Sequence, residues 1–288
     1  TFTYDNTAPE TSVSTPVAGR YYSALGSLSG GSSDAVGVST ITLFIQEVGG
    51  SCYNQTSNAF DGTCPSTFAA QGSTASWTYT FASEPWQPTK QYIVYSSATD
   101  RSWNRQTALS SATFYYDVGQ PTVTVFSPAG SYMNLSNKAS TGTVQDNPGA
   151  GISNVEIAFS SAGGANNTWW TGSAFTGADA ASNYRSTTSY TAGAVISTWG
   201  WLRPGDSYME TGKSYRMKVK ATDLTYPPNS KTFDYTFMYD SAPPLTLITA
   251  PANGTDKGAA FDITGSSSDF GVGVSTVWVS VQQLGGAN

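Results

Sequence analysis

Aspartates recur at three matched places along this 288-residue chain, and they are its best candidates for chemistry. Asp5, Asp34 and Asp100 form a first set, Asp117, Asp146 and Asp223 a second, and Asp240 with Asp269 open a third. In each set one Asp precedes the first strand-like run of a repeat, one follows the second run, and, where the set is full, one ends a late run. If the chain folds so that those three places meet at one pole, three carboxylates distant in sequence converge. Oxygens gathered in that way suit Ca²⁺, which takes about 6 to 8 oxygen ligands. The alternative is structural, because Asp in a turn commonly accepts backbone N–H bonds. No compact Asp-x-Asp-x-Asp loop is present, so the spacing leaves both open.

Other chemistries lack their residues. The chain has no His, which removes Ser/His/Asp and Cys/His nucleophile systems and the usual zinc and iron ligands. Gly212, Lys213 and Ser214 imitate the end of a phosphate loop, but Ser207 stands where its first Gly belongs. Asp179, Asp206 and Glu210 are the nearest approach to a carboxylate cluster outside the repeated sets, with nothing to set two of them across a cleft. A non-enzymatic role is expected. Trp169 and Trp170, with Trp199 and Trp201, could form a stacking platform for sugar rings, or they could be core; Trp199 and Trp201, two apart on a strand, share one face. Cys52 and Cys64 stand 12 apart in a Gly-, Asn- and Ser-rich stretch. A disulfide there would contribute about 3 kcal/mol and would favour an oxidising compartment; two unpaired thiols are the other reading.

The elements that must position these residues are strands. The phrase TFTYD at 1–5 returns as TFYYD at 113–117 and TFMYD at 236–240, so Asp5 to Asp117 is 112 residues and Asp117 to Asp240 is 123. Period-2 alternation predicts strand A near 11–15, B near 25–31, C at 38–47, E at 76–82, F at 90–99 and G at 112–117. In the next repeat it predicts C at 152–159, F at 214–222 and G at 233–240, and then a strand C at 274–283. Gly-Gly pairs (49–50, 163–164, 285–286) follow each strand C and turn the chain into its most variable stretch. Tyr92 and Tyr215 begin strand F, where a hydroxyl bonded to backbone would make a tyrosine corner.

Only 11% of residues are charged, against about 25% in an ordinary soluble protein, and the net charge is −6. Binding to nucleic acid therefore has no electrostatic basis. No run reaches the roughly 20 apolar residues of a membrane helix.

The order Tyr-Asp, Ala-Pro, strand, Pro, small-residue strand, Ser-Asp, Gly-Val or Gly-Ile, strand C, Trp-Thr-Gly hairpin, Trp, Lys-x-Tyr, Ala-Thr-Asp, Thr-Phe-x-Tyr-Asp resembles the bacterial immunoglobulin-like repeats of very large secreted and cell-surface proteins. The first repeat departs by carrying the cysteine loop in place of the Trp-Thr-Gly hairpin. The resemblance implies an all-β chain of tandem immunoglobulin-like antiparallel β-sandwiches arranged as a rod. Expected divisions are 1–4 (the last strand of a preceding domain), 5–116, 117–239, and a partial domain at 240–288, a window truncated at both ends. It also implies a spacer or adhesive stalk outside the cell. A stalk, spacer or filament on a bacterial surface is the expected role, with neighbouring domains of the same chain as partners, and the aspartate sets add calcium at the domain junctions as an expectation. Self-assembly into fibres and binding of surface glycans, as an adhesin or carbohydrate-binding module, are the further expectations.

Overall fold

The computed structural model describes residues 4–72, 75–134, 138–147, 149–162 and 168–283. The chain starts with β1 (Glu10–Thr15), β2 (Tyr21–Tyr22), β3 (Ser27–Ser33), β4 (Val38–Glu47), β5 (Cys52–Asn54) and β6 (Ala59–Gly62). Next come β7 (Phe68–Ala69), β8 (Gln71–Gly72), β9 (Ser76–Thr80), β10 (Lys90–Asp100) and β11 (Ser110–Tyr116). They form two sheets, β1-β3-β9-β8 and β2-β11-β10-β4-β5-β6, with β7 also pairing β4. In immunoglobulin lettering the sheets are A-B-E and A′-G-F-C-C′-C″, the arrangement of an immunoglobulin-like sandwich.

The same order follows in β12 (Thr122–Ser127), β13 (Tyr132–Met133), β14 (Ala139–Gln145), β15 (Ile152–Ala162) and β16 (Trp169–Trp170). It continues in β17 (Phe175–Gly177), β18 (Arg185–Ser186), β19 (Ile196–Leu202), β20 (Lys213–Asp223) and β21 (Ser230–Tyr239). Their sheets are β12-β14-β19 and β13-β21-β20-β15-β16-β17, with β18 on β15. Beyond them, β22 (Leu245–Ala250) pairs antiparallel with β23 (Thr264–Ser268). Helix among the described residues amounts to two single 3₁₀ turns.

The sequence accounts for this layering. Strands F, β10 and β20, both read exposed, intermediate, then buried at every second residue, so alternate side chains enter the core. Leu28, Leu43, Ile45, Trp77, Tyr92, Val94 and Phe114 fill the first sandwich. Val144, Ile157, Phe159, Trp199, Tyr215, Met217 and Phe237 fill the second. Each strand A shifts register near its end, between Val13 and Thr15, Val125 and Ser127, and Ile248 and Ala250. Pro16, Pro128 and Pro251 follow at once, and a proline has no N–H to give the ladder. In both full sandwiches the chain then crosses to the opposite sheet as A′, where β2 and β13 run parallel to strand G.

Small residues in strand B have a steric cause. Gly30 and Gly142 lie under the indoles of Trp77 and Trp199 on strand E, and a Cβ at either would collide with the indole and with a carbonyl of strand A, Ser12 or Thr124. The tyrosine corners are present, with the hydroxyl as acceptor: Gln87 N–H donates to Tyr92 Oη and Glu210 N–H to Tyr215 Oη, each at 2.8 Å.

Two expectations need correction. Residues 274–283 form no strand. In both full sandwiches strand C is hydrogen-bonded to strand F, and the described residues of this third unit supply no such neighbour; Trp278 and Val281 are left exposed. Trp169 and Trp170 do not form an open platform, since both are buried in the hairpin of β16 and β17. Trp170 packs on Phe175 and Tyr208, and Lys218 Nζ lies 6.0 Å from the Trp169 ring centre. The Gly pairs at 163–164 and 285–286, and residues 1–3, lie outside the described residues.

Candidate metal centre at the sandwich poles

Strand ends put the repeated aspartates together. Asp100 and Asp223 are the last residues of β10 and β20; Asp34 and Asp146 directly follow β3 and β14; Asp5 and Asp117 lie ahead of β1 and β12. In a sandwich of this connectivity all three places fall at one pole. Asp5, Asp34 and Asp100 bring one carboxylate oxygen each to within 4.8 Å of one another, and so do Asp117, Asp146 and Asp223.

Turn bonding and convergence coexist, so the two alternatives drawn from the sequence are not exclusive. Asp5 Oδ1 accepts from Thr7 N–H at 3.0 Å and from its hydroxyl at 2.6 Å. These bonds hold its carboxyl below the usual range. Asp34 Oδ1 accepts from Val36 and Gly37 N–H, and Asp100 accepts from Asn104 N–H and Nδ2, both at 2.8 Å. In the second set, Asp117 accepts from Gly119 and Ala150 N–H at 2.8 and 3.0 Å. Asp146 accepts from Gly151 N–H at 2.9 Å. Asp223 Oδ1 takes three donors, Thr225 N–H, the Thr225 hydroxyl and Asn229 N–H.

The second pole is the more enclosed. Asp117, Asp146 and Asp223 are 3%, 2% and 1% exposed, and no Lys or Arg pairs with them among the described residues. Burying carboxylates without a cation is costly. Burial, with the charges of Asp117 and Asp223 added, pushes Asp146 up to about 6. Burial likewise raises Asp117, against the pull of its two N–H bonds. Asp223 Oδ2 is buried with no hydrogen-bond partner at all. An orphaned oxygen beside two further carboxylates is an arrangement that could hold a divalent cation.

The third set is partial. Asp240 accepts from Ala242 and Val272 N–H, each at 3.0 Å; the first repeats the two-residue turn of Asp117 and Gly119, and the second reaches the loop after Asp269 as Ala150 lies in the loop after Asp146. Asp269 Oδ2 accepts from Gly273 N–H, and its Oδ1 is buried without a partner. Both line one cleft with Tyr132, Met133 and Asn134.

Several contributors escaped the sequence reading. Asn104 and Asn229 donate their side-chain amides to the carbonyls of Asp5 and Asp117; an Asn shortly after each strand-F Asp was the available signal. Gly149 lies against the Asp146 carboxylate, where a Cβ would collide with it. The junction contacts had no local signal. Asp117 N–H donates to Tyr22 O at 2.8 Å, and the loop after Asp223 reaches Tyr21, Tyr22 and Ser23 of the first sandwich. Cys52 and Cys64 are joined as a disulfide with Cα atoms 5.1 Å apart, which ties β5 to the loop after β6.

No protein-family model matches the chain, and no curated protein matches it. Among solved structures it is similar to the fibronectin(III)-like modules of Clostridium thermocellum CbhA, with TM-score 0.35 and 13% identity over 81% of this chain and 95% of that one. It is also similar to a tetra-tandem repeat in the extending region of a large adhesion protein, with TM-score 0.29 and 16% identity over 92% and 63% of the two chains. A third similarity is to the FN1-FN3 domains of chicken CNTN1, with TM-score 0.29 and 12% identity over 84% and 71%. At this distance the similarities carry no weight for function, and the immunoglobulin-like assignment stands on the order and pairing of the strands themselves.

Proposed function

We propose that this chain is a non-enzymatic structural repeat protein, working outside the cell as a stalk, spacer or filament on a bacterial surface, with calcium bound at the aspartate poles. The junction between the two sandwiches carries this reading. Strand G ends at Tyr116 and the next residue, Asp117, is already bonded back to Tyr22 and forward to Ala150. A connection with so little free chain transmits orientation from one sandwich to the next, which is what a spacer needs. Calcium would offset the charge of three buried carboxylates there and take the free Asp223 Oδ2 as ligand, stiffening the joint.

Small-angle scattering of the chain in millimolar Ca²⁺ and in chelator tests both parts. One narrow, extended distance distribution in Ca²⁺ that broadens in chelator is expected. A broad distribution in both would remove the spacer role, and a narrow one in both, with no calcium-dependent melting shift, would remove the ion. The adhesive alternative rests on the variable loops after strand C, since the buried Trp169 and Trp170 offer no stacking face.

A further inference from the structure

One loop faces both the acidic pole and the neighbouring sandwich. Residues 224–229 join β20 to β21. On the inner side Thr225 and Asn229 supply all three donors to Asp223 Oδ1. On the outer side Tyr226 N–H donates to Tyr21 O at 3.0 Å, and Ser23 N–H donates to Tyr226 O at 3.2 Å. The Ser23 hydroxyl donates to Pro227 O at 2.5 Å. The Tyr226 ring meets Tyr22 edge-on at 6.2 Å, with the Arg20 guanidinium 5.2 Å from its centre.

The two sides share one atom group. The Thr225 hydroxyl lies 2.6 Å from Asp223 Oδ1 and 2.8 Å from Pro227 O. Its single proton serves one of them at a time. Any change in the charge at Asp223 therefore reaches the carbonyl on which Ser23 docks.

The first sandwich provides an internal comparison. Its corresponding loop, after Asp100, carries Trp103 at φ +68 and 84% exposed. Among the described residues no hydrogen bond ties residues 101–103 to another sandwich.

We infer that divalent-cation binding at Asp117, Asp146 and Asp223 and the docking of the 224–229 loop on the first sandwich are one coupled equilibrium, with Tyr226 and Ser23 as positioning residues for the cation. The inference rests on the calcium reading above. Coupling of this kind is reciprocal: whatever docking adds to affinity for the ion, the ion adds to docking. It follows that a pole whose loop is docked on a neighbouring sandwich binds the ion more tightly than the same three aspartates with the loop undocked, as it is at the first pole among the described residues.

Calorimetric titration of the full chain with Ca²⁺ tests this against Tyr226→Ala combined with Ser23→Ala, both at surface positions outside the acidic pockets. The double variant should weaken the tighter site by about 5-fold, the lower end of usual coupling, and leave the weaker site unchanged; Tyr226→Phe should behave as the parent. In the unmodified chain Ca²⁺ should also slow hydrogen exchange at the amides of Ser23 and Tyr226. Calcium binding that is identical in parent and double variant, or that leaves those two amides exchanging at their calcium-free rate, overturns the coupling while sparing the site. No binding heat at either pole overturns the site and the coupling with it.

Discussion

The side-chain amide of Asn229 donates to the backbone carbonyl of Asp117 at 3.1 Å, across 112 residues. Asn104 makes the same 3.1 Å bond to Asp5 in the first sandwich. Each Asn also gives its backbone N–H to the strand-F aspartate, so it fixes the first and third carboxylates of its set relative to one another. Asn229→Ala should lower the stability of the second sandwich by about 1–2 kcal/mol, the usual cost of a lost partly buried bond. It should also weaken calcium binding there while leaving the first pole alone. Denaturant melts and calcium titration of the same variant check both effects.

Acidity should stabilise the calcium-free second sandwich. Asp146 is raised from 3.8 to about 6 by burial first and by the charges of Asp117 and Asp223 second. A carboxyl whose folded pKa exceeds its unfolded one binds its proton more tightly when folded. Stability from this group is therefore greatest below about pH 4 and falls as pH climbs through about 6, by roughly 1–3 kcal/mol. Thermal melts in chelator between about pH 4 and 7 should show the second sandwich weakening as pH rises, and millimolar Ca²⁺ should restore it at neutral pH. Stability that rises steadily over that interval in chelator would contradict the burial of this cluster.

Gly142→Ala should be among the more damaging single methyl additions in the second sandwich. The new Cβ would meet both the Thr124 carbonyl and the Trp199 indole, one a ladder atom and the other fully buried. Neither can retreat without opening the A-B pairing, so a loss of about 3 kcal/mol is expected from overpacking. Gly30→Ala should do the same against Ser12 and Trp77. A melting curve matching the parent in either variant would show that strand A yields.

Removing the disulfide should act on one sandwich only. Cys52→Ser with Cys64→Ser opens a loop of 12 residues, worth about 3 kcal/mol in the chain-entropy model. The first sandwich should melt earlier and the second should not move. Differential scanning calorimetry of the full chain separates the two transitions.

Much of the fold was legible because it is local. Period-2 alternation and the prolines after strand A specify which residues face inward and where the ladder breaks, and both act within a few residues. Strands C, F and G were read to within a few residues in both full sandwiches on that basis. The A′ strands and the C′ and C″ strands of the first sandwich were missed, since segments of two to four residues carry no periodicity of their own and exist by pairing with a neighbour; in the second sandwich C′ and C″ are the Trp-Thr-Gly hairpin that the sequence did announce. Residues 274–283 show the converse: good alternation without a hydrogen-bonding partner makes no strand.

By itself the sequence determined the repeat, the sandwich cores and the candidate carboxylates, because each repeat spells them out in the same order. Tertiary structure alone decided that the aspartates converge, that Asp223 keeps one oxygen unbonded, that Trp169 and Trp170 turn inward, and that the 224–229 loop rests on the neighbouring sandwich. Those four outcomes depend on distances between residues up to two hundred positions apart, and only the closed chain sets such distances.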